Sequence, residues 1–256
     1  MVDDLKTFLW FIQRPSLYPA LVDLFLRKFF LADRDNEQCT KDANEWCQEN
    51  QSDLPEIYQR YQLTENDDFQ DYLNSEHFKN VEQIIKISDS DFGGPGDLKL
   101  LYKICESIGA TSVLETGVAY GWSAAAILES IAQRQGVLVS IDMPMPKQKD
   151  YDLIGVAVKK EHKQFWQLIE KPDKYGLLDG LKKLNGKLDI CHYDSDKSYY
   201  GRKWAYPKIY NALNTGGFLI SDDVEDNLGF KDFVELMNLK FTVHSIDGKF
   251  VGIIQK

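Results

Sequence analysis

The sequence is short of cysteine and of positive charge, and it has no long apolar run. Each shortage removes a class of function. Its four cysteines, Cys39, Cys47, Cys105 and Cys191, show no CxxC spacing. Neither a zinc knuckle nor a disulfide framework is predicted, and all four read as free thiols. Thirty Lys and Arg stand against forty Asp and Glu, a formal net charge of −10. No basic stripe is offered to a phosphate backbone, so nucleic acid is not the expected partner. Charged residues interrupt every apolar stretch well short of the ~20 residues a spanning helix needs, so stable membrane insertion is not expected. Asp3 and Asp4 precede the short apolar run Phe8–Ile12, where a secretory leader carries a basic start and a longer core. The expectation is a cytoplasmic protein.

What is present is a hydrophobic fraction of 43% over 256 residues, enough for one large α/β domain with an appendage. Residues 1–87 are predicted to form an N-terminal helical subdomain. Leu21, Leu24, Phe25, Lys28 and Phe29 follow helical spacing. Asp53-Leu54-Pro55-Glu56 has the form of a helix start, and Thr64 and Ser75 are candidate caps for two further helices. These helices are expected to pack over the ligand side of the main domain or to form a subunit interface, which would make the protein a homo-oligomer.

Beyond the turn cluster Asp89–Gly96, residues 88–256 alternate helix and strand. Strands are predicted at Ser112–Glu115, Val137–Asp142, Phe165–Ile169, Leu188–Tyr193, Phe218–Ser221, Phe241–Ile246 and Phe250–Ile254. Helices are predicted at Leu98–Ser107, Ser123–Gln133, Tyr175–Leu184 and Tyr199–Leu213. Such alternation implies a mostly parallel, Rossmann-like sheet covered on both faces. The Asp247-Gly248 turn must add an antiparallel strand at its end.

The sharpest motif is Val113–Ser123, at a strand-to-helix junction. Gly117 permits a tight turn, and Gly121 lets backbone approach a ligand. Glu115 places a carboxylate near a cationic amine, with Tyr120 and Ser123 in the same loop. Asp142, about twenty residues on, ends the next strand and can accept hydrogen bonds from both hydroxyls of a ribose. The pattern is E-x-G-x-x-x-G-x-S rather than G-x-G-x-x-G. Its leading acid would repel a pyrophosphate but suits S-adenosylmethionine, which has an ammonium group and no phosphate.

On these residues, together with Ile141-Asp142, Asp189–Tyr199 and Gly216–Asp223, the stretch Gly93–Val224 resembles the class I S-adenosylmethionine-dependent methyltransferases. It is similar to the catechol and caffeoyl-coenzyme A O-methyltransferases and to the macrocin O-methyltransferase and cephalosporin-hydroxylase-like group. The resemblance implies a seven-stranded sheet with a reversed last strand. It also implies methyl transfer to a small hydroxylated acceptor, such as a sugar or a secondary metabolite.

Two strand ends deliver Asp194 and Asp222-Asp223 toward one crevice. Three carboxylates that close are unfavourable without a positive partner, and a hard divalent cation, magnesium before manganese or calcium, suits them. In the similar enzymes such a metal is held at the positions of Asp194, Asp222 and Asp223; Asp194 also belongs to the expected donor site. Lys197 matches the lysine proposed there as catalytic base. Lys171-Pro172-Asp173 departs from the Gly-Asp-Ser that relatives often place near adenine. Asp196 is expected to be a helix cap and His192 a packed or hydrogen-bonded strand residue. Tyr199, Tyr200 and Trp204 are expected to pack the following helix. Two other functions share the pattern: a nicotinamide-dependent oxidoreductase, against which the glycine spacing argues, and a non-catalytic binding module on the same fold.

Overall fold

The computed structural model describes residues 8–30, 34–65, 68–88, 92–143 and 151–256. Its centre is a seven-stranded sheet in the order β3-β2-β1-β4-β5-β7-β6. The strands are β1 (Ser112–Thr116), β2 (Val137–Asp142), β3 (Trp166–Glu170), β4 (Leu188–Tyr193), β5 (Leu213–Ser221), β6 (Phe241–Ile246) and β7 (Lys249–Gln255). β1 to β5 run parallel, and β7 lies antiparallel between β5 and β6. Both residues of the Asp247-Gly248 turn have positive φ, the two-residue hairpin geometry that reverses the last strand.

Ten helices among the described residues carry the argument: α1 (Tyr18–Phe30), α2 (Glu37–Glu49), α3 (Leu54–Arg60), α4 (Gln70–Asn74), α5 (Glu76–Ile87), α6 (Leu98–Ser107), α7 (Trp122–Ile131), α8 (Asp173–Lys183), α9 (Tyr199–Ala212) and α10 (Gly229–Leu236). Asp53 and Ser75 cap α3 and α5 by accepting from Glu56 N (2.8 Å) and Phe78 N (3.1 Å). Thr64 caps nothing, because the next helix starts only at Gln70, behind an uncapped Phe69. α1 runs as its periodicity predicts, although the side chains of Leu24, Lys28 and Phe29 lie outside the described residues, as do residues 89–91 of the turn cluster.

The N-terminal helices share the cores of the sheet domain. Ile57, Tyr61 and Leu63 pack with Leu100, Val113 and Phe218. Cys47 lies in the cluster of Phe230 and Val243, with Trp46 against it. Phe69, Tyr72 and Val81 join Tyr102, Tyr120 and Trp122. Among the described residues, Phe11, Leu17 and Ala20 form a smaller cluster, with Met143 packed against it. Side chains from both sides of residue 87 thus share the other three clusters. Deleting residues 1–87 is expected to expose these faces and give aggregated protein, measured by light scattering after expression. A soluble truncation with a wild-type melting temperature would show that the helices are dispensable.

Candidate active site

β1 hands over to α7 through Gly117–Gly121. Gly117 has φ +81°, and a Cβ there would lie 2.1 Å from the backbone oxygen of Asp194. The closeness follows from pairing: Asp194 N donates to Thr116 O (2.9 Å) and Gly117 N to Ile141 O (2.8 Å). Gly121, also at φ +81°, caps α7, and its Cβ position is 2.7 Å from Gly155 Cα. The backbone that approaches Gly121 is thus the chain's own rather than a ligand's. Asp142 Oδ2 accepts from Val118 N and Ala119 N, both at 3.1 Å, and so shapes the loop. Burial pushes its carboxyl pKa up against those hydrogen bonds.

Glu115 is not where its place in the motif suggests. It is fully buried and does not line the cavity. Ser123 Oγ donates to its Oε1 and Ser140 Oγ to its Oε2, both at 2.6 Å, while Trp166 Nε1 donates to Ser140 Oγ (2.8 Å). Side chains alternate along a strand. Glu115 lies one residue inside the end of β1 and turns beneath α7 rather than into the crevice.

The cavity at the C-terminal end of the sheet has a volume of about 260 Å³. Gly117, Tyr120 and Ser123 from the loop and Asp194, Lys197, Asp222 and Asp223 from the strand ends all line it. Tyr120 stacks at a tilt on Phe92, ring centres 4.7 Å apart. Lys197 Nζ is 2.9 Å from Asp194 Oδ1 and bonds Asp223 Oδ2; Lys249 Nζ takes Asp223 Oδ1 at 2.9 Å. His192 Nε2 faces Asp222 Oδ2 at 3.3 Å. Asp223 is left-handed, φ +51°, and buried Arg202 donates through Nη2 to the carbonyls of Asp222 (3.1 Å) and Asp223 (2.6 Å).

The charges follow these contacts. Burial, then repulsion from Asp222, pushes Asp194 up to about 6 despite Lys197. Burial opposes the charge on Lys197, but Asp194 and Asp223 hold its pKa above the ordinary lysine value. Burial would raise Asp223, yet Lys197 and Lys249 hold it below the usual carboxylate value. For His192 burial favours the neutral ring, and Asp222, Glu115 and Asp194 overcome it and raise the pKa.

Residues 114–224 match the family described as methyltransferase domain. The fold agrees. An O-methyltransferase from Bacillus cereus in complex with SAH superposes with a TM-score of 0.54 at 16% identity, covering 72% of this chain and 92% of that one. A putative caffeoyl-CoA O-methyltransferase from Staphylococcus aureus gives 0.54 at 15%, covering 80% and 100%. An SAH-bound Podospora anserina methyltransferase gives 0.52 at 17%, covering 86% and 97%. No curated protein matches the chain. Residues 114–224 thus match a methyltransferase domain, and the chain has the fold of the class I, S-adenosylmethionine-dependent methyltransferases.

The structure brings most of the expected site residues to one cavity and leaves three out of its lining. Glu115 and Gly121 are buried behind the loop that Gly117, Tyr120 and Ser123 present, and Asp142, half-buried at the end of β2, holds that loop through Oδ2. Ser123 itself spends its hydroxyl on Glu115. Lys197 sits at the cavity, but its carboxylate partners raise its pKa, the reverse of what a free base requires. Asp196 does not cap α9; Ser198 does, accepting from Gly201 N (3.0 Å), and Asp196 braces Ser198 instead. Asp173, beside the expected adenine position, accepts from Ser195 Oγ and Asp196 N, and burial pushes its pKa up to about 6.

The sequence reading missed Lys249 and Arg202, and it placed His192 as a packed or hydrogen-bonded strand residue, which it is, without its place in the cavity lining. His192 carried a usable signal: it stands two residues before Asp194, on the same face of β4. Lys249 and Arg202 carried none, since their partners lie 26 and 20 to 21 residues away.

Proposed function

We propose that this protein transfers the methyl group of S-adenosylmethionine to a hydroxyl oxygen of a small acceptor, a sugar or a secondary metabolite. One observation carries the reading: a single cavity is walled by the glycine loop on one side and by the Asp–Lys cluster on the other. Methyl transfer from a sulfonium is an in-line displacement, so donor and nucleophile must share one enclosed space. Gly117–Ser123 would cradle the methionine portion of the donor, and Asp142 the ribose hydroxyls. Lys197, an ammonium between Asp194 and Asp223, is placed to donate to the acceptor oxygen and stabilise its anion. The acceptor's proton would pass to the facing carboxylates of Asp194 and Asp222.

The structural neighbours named with SAH support the donor assignment. Calorimetry tests it. S-adenosylhomocysteine should bind the wild type, and Asp142→Ala should lose ~1.5–3 kcal/mol of charge-assisted hydrogen bonding. Equal affinity for both proteins would remove Asp142 from the donor site. Preference for NAD would overturn the whole reading, and donor binding with no transfer to any hydroxylated compound would leave a binding module.

The donor set fits a divalent cation in part. Asp194 and Asp222 repel one another, although Asp194 Oδ1 already faces Lys197 Nζ at 2.9 Å. Asp223 fits poorly, because both its oxygens are engaged by lysines. Among the described residues no group of three His, Cys, Asp or Glu side chains is arranged to hold a metal. We therefore assign Asp194 and Asp222 as the protein ligands of a magnesium-like ion, with Asp223 joining only if its lysines move. Bound there, the ion would lower the pKa of an acceptor hydroxyl. Calorimetric titration of magnesium chloride should give binding that Asp222→Asn abolishes. No heat from the wild type, and full transfer in EDTA, would sink this assignment.

A further inference from the structure

A row of buried polar side chains crosses the middle of the sheet. Ser140 of β2 is paired in register with Glu115 of β1, and Glu115 with His192 of β4. His192 is paired with Ile220 of β5. Two residues beyond Ile220, on the same side by strand alternation, stands Asp222. Ser140 and Glu115 are wholly buried and His192 is 4% exposed. Polar groups so placed are unfavourable unless each is satisfied by its neighbours.

Most of the row is satisfied. Glu115 receives Ser140 on one oxygen and Ser123 on the other. Ser123 opens α7 and lines the cavity on the donor side. At the other end Asp222, with His192 at 3.3 Å, lines the cavity on the acidic side. One gap remains: His192 Nδ1 stands 3.8 Å from Glu115 Oε1 and has no hydrogen-bond partner. The imidazole therefore has two carboxylates to serve, and it lies closer to Asp222.

We propose that His192 is a positioning residue that couples the donor loop to the acidic centre. While Asp222 holds one ring nitrogen, His192 stays off Glu115, and Ser123 keeps its bond to Glu115 Oε1. When Asp222 is drawn toward a ligand, the ring is released toward Glu115. There it competes with Ser123 for Oε1, and the first turn of α7 shifts its grip on the donor. Occupancy of the acidic centre and donor affinity are thereby linked, and linkage of this kind acts equally in both directions. The inference rests on the donor assignment above.

The test is a double-mutant cycle on the full chain, read by calorimetry with S-adenosylhomocysteine as the probe. Asp222→Asn should weaken binding about fivefold through the released ring. His192→Gln, whose amide reaches one carboxylate but not both, should weaken it to a similar extent. The double variant should be no weaker than either single one, because the two changes break one link. Multiplying effects, or singles that match the wild type, would overturn the proposal. Thermal melts check folding, and His192→Asn replaces His192→Gln in the cycle if that variant does not melt cooperatively. A wild type that fails to bind S-adenosylhomocysteine would fail the donor assignment instead, so the two failures are told apart.

Discussion

The Gly117→Ala variant is expected to bind no S-adenosylhomocysteine and to melt well below the wild type. Two costs combine. A non-glycine residue at φ +81° loses roughly 1–2 kcal/mol to left-handed backbone strain. The added Cβ would also sit 2.1 Å from Asp194 O and 2.8 Å from Asp194 C. Those atoms are backbone at the end of β4, so no side-chain rotation relieves the overlap. Either the ends of β1 and β4 separate, or Asp194 leaves the cavity with its partner Lys197. Gly216 supplies the control: its φ is +83°, but an added Cβ would meet nothing within 4 Å. Gly216→Ala should show the strain alone, with a slightly lower melting temperature and unchanged donor affinity. If both variants melt alike and both bind the probe, close approach of the two strand ends is not what the site requires.

Lys197→Met is expected to cut methyl transfer by about a hundredfold or more, the effect of removing one preorganised donor from a developing oxyanion, while sparing donor affinity. Lys197 is the cation that Asp194 and Asp223 share at the cavity wall. Methionine keeps much of the aliphatic stem but offers no proton. Asp223 retains Lys249 on its other oxygen, so the turn after β5, held from behind by Arg202, should keep its form. The affected carboxylate is Asp194, left beside Asp222 with no compensating charge. The measurement is release of S-adenosylhomocysteine with an acceptor found by screening hydroxylated compounds, beside calorimetry for the donor. Transfer at the wild-type rate would remove Lys197 from the chemistry. Loss of donor binding along with transfer would show that the lysine holds the cavity together rather than acting on the acceptor.

The sheet was legible because its signals are local. β2, β4 and β6 begin and end where their apolar runs do. The two-residue turn Asp247-Gly248 announced the reversed strand, and Asp53 and Ser75 announced two helices. Thr64 failed as a cap for an equally local reason. A cap needs helix directly after it, and here the next helix begins six residues later, at Gln70.

Which residues meet at the cavity was more legible than what each of them engages. Strand ends in a parallel sheet gather at one edge, so a motif at the end of β1 and acids at the ends of β4 and β5 had to meet. Which group each carboxylate engages was not readable, because it depends on partners distant in the chain. Glu115 is claimed by Ser123 and Ser140, and Asp142 by the loop's own amides. Asp223 is claimed by Lys197 from the β4 loop and by Lys249 from the final hairpin.

By itself, then, the sequence determined the order of helices and strands, the reversed hairpin, the glycine loop and the three acids that would converge. Backbone periodicity and turn chemistry act over a few residues and are written in consecutive letters. Only the tertiary structure decided that Glu115 supports the cavity from behind, that lysines compensate Asp223, and that His192 stands between the two halves of the site. Those outcomes are electrostatic and depend on distances of 2.6 to 3.8 Å between side chains, and sequence spacing does not encode such distances across strands.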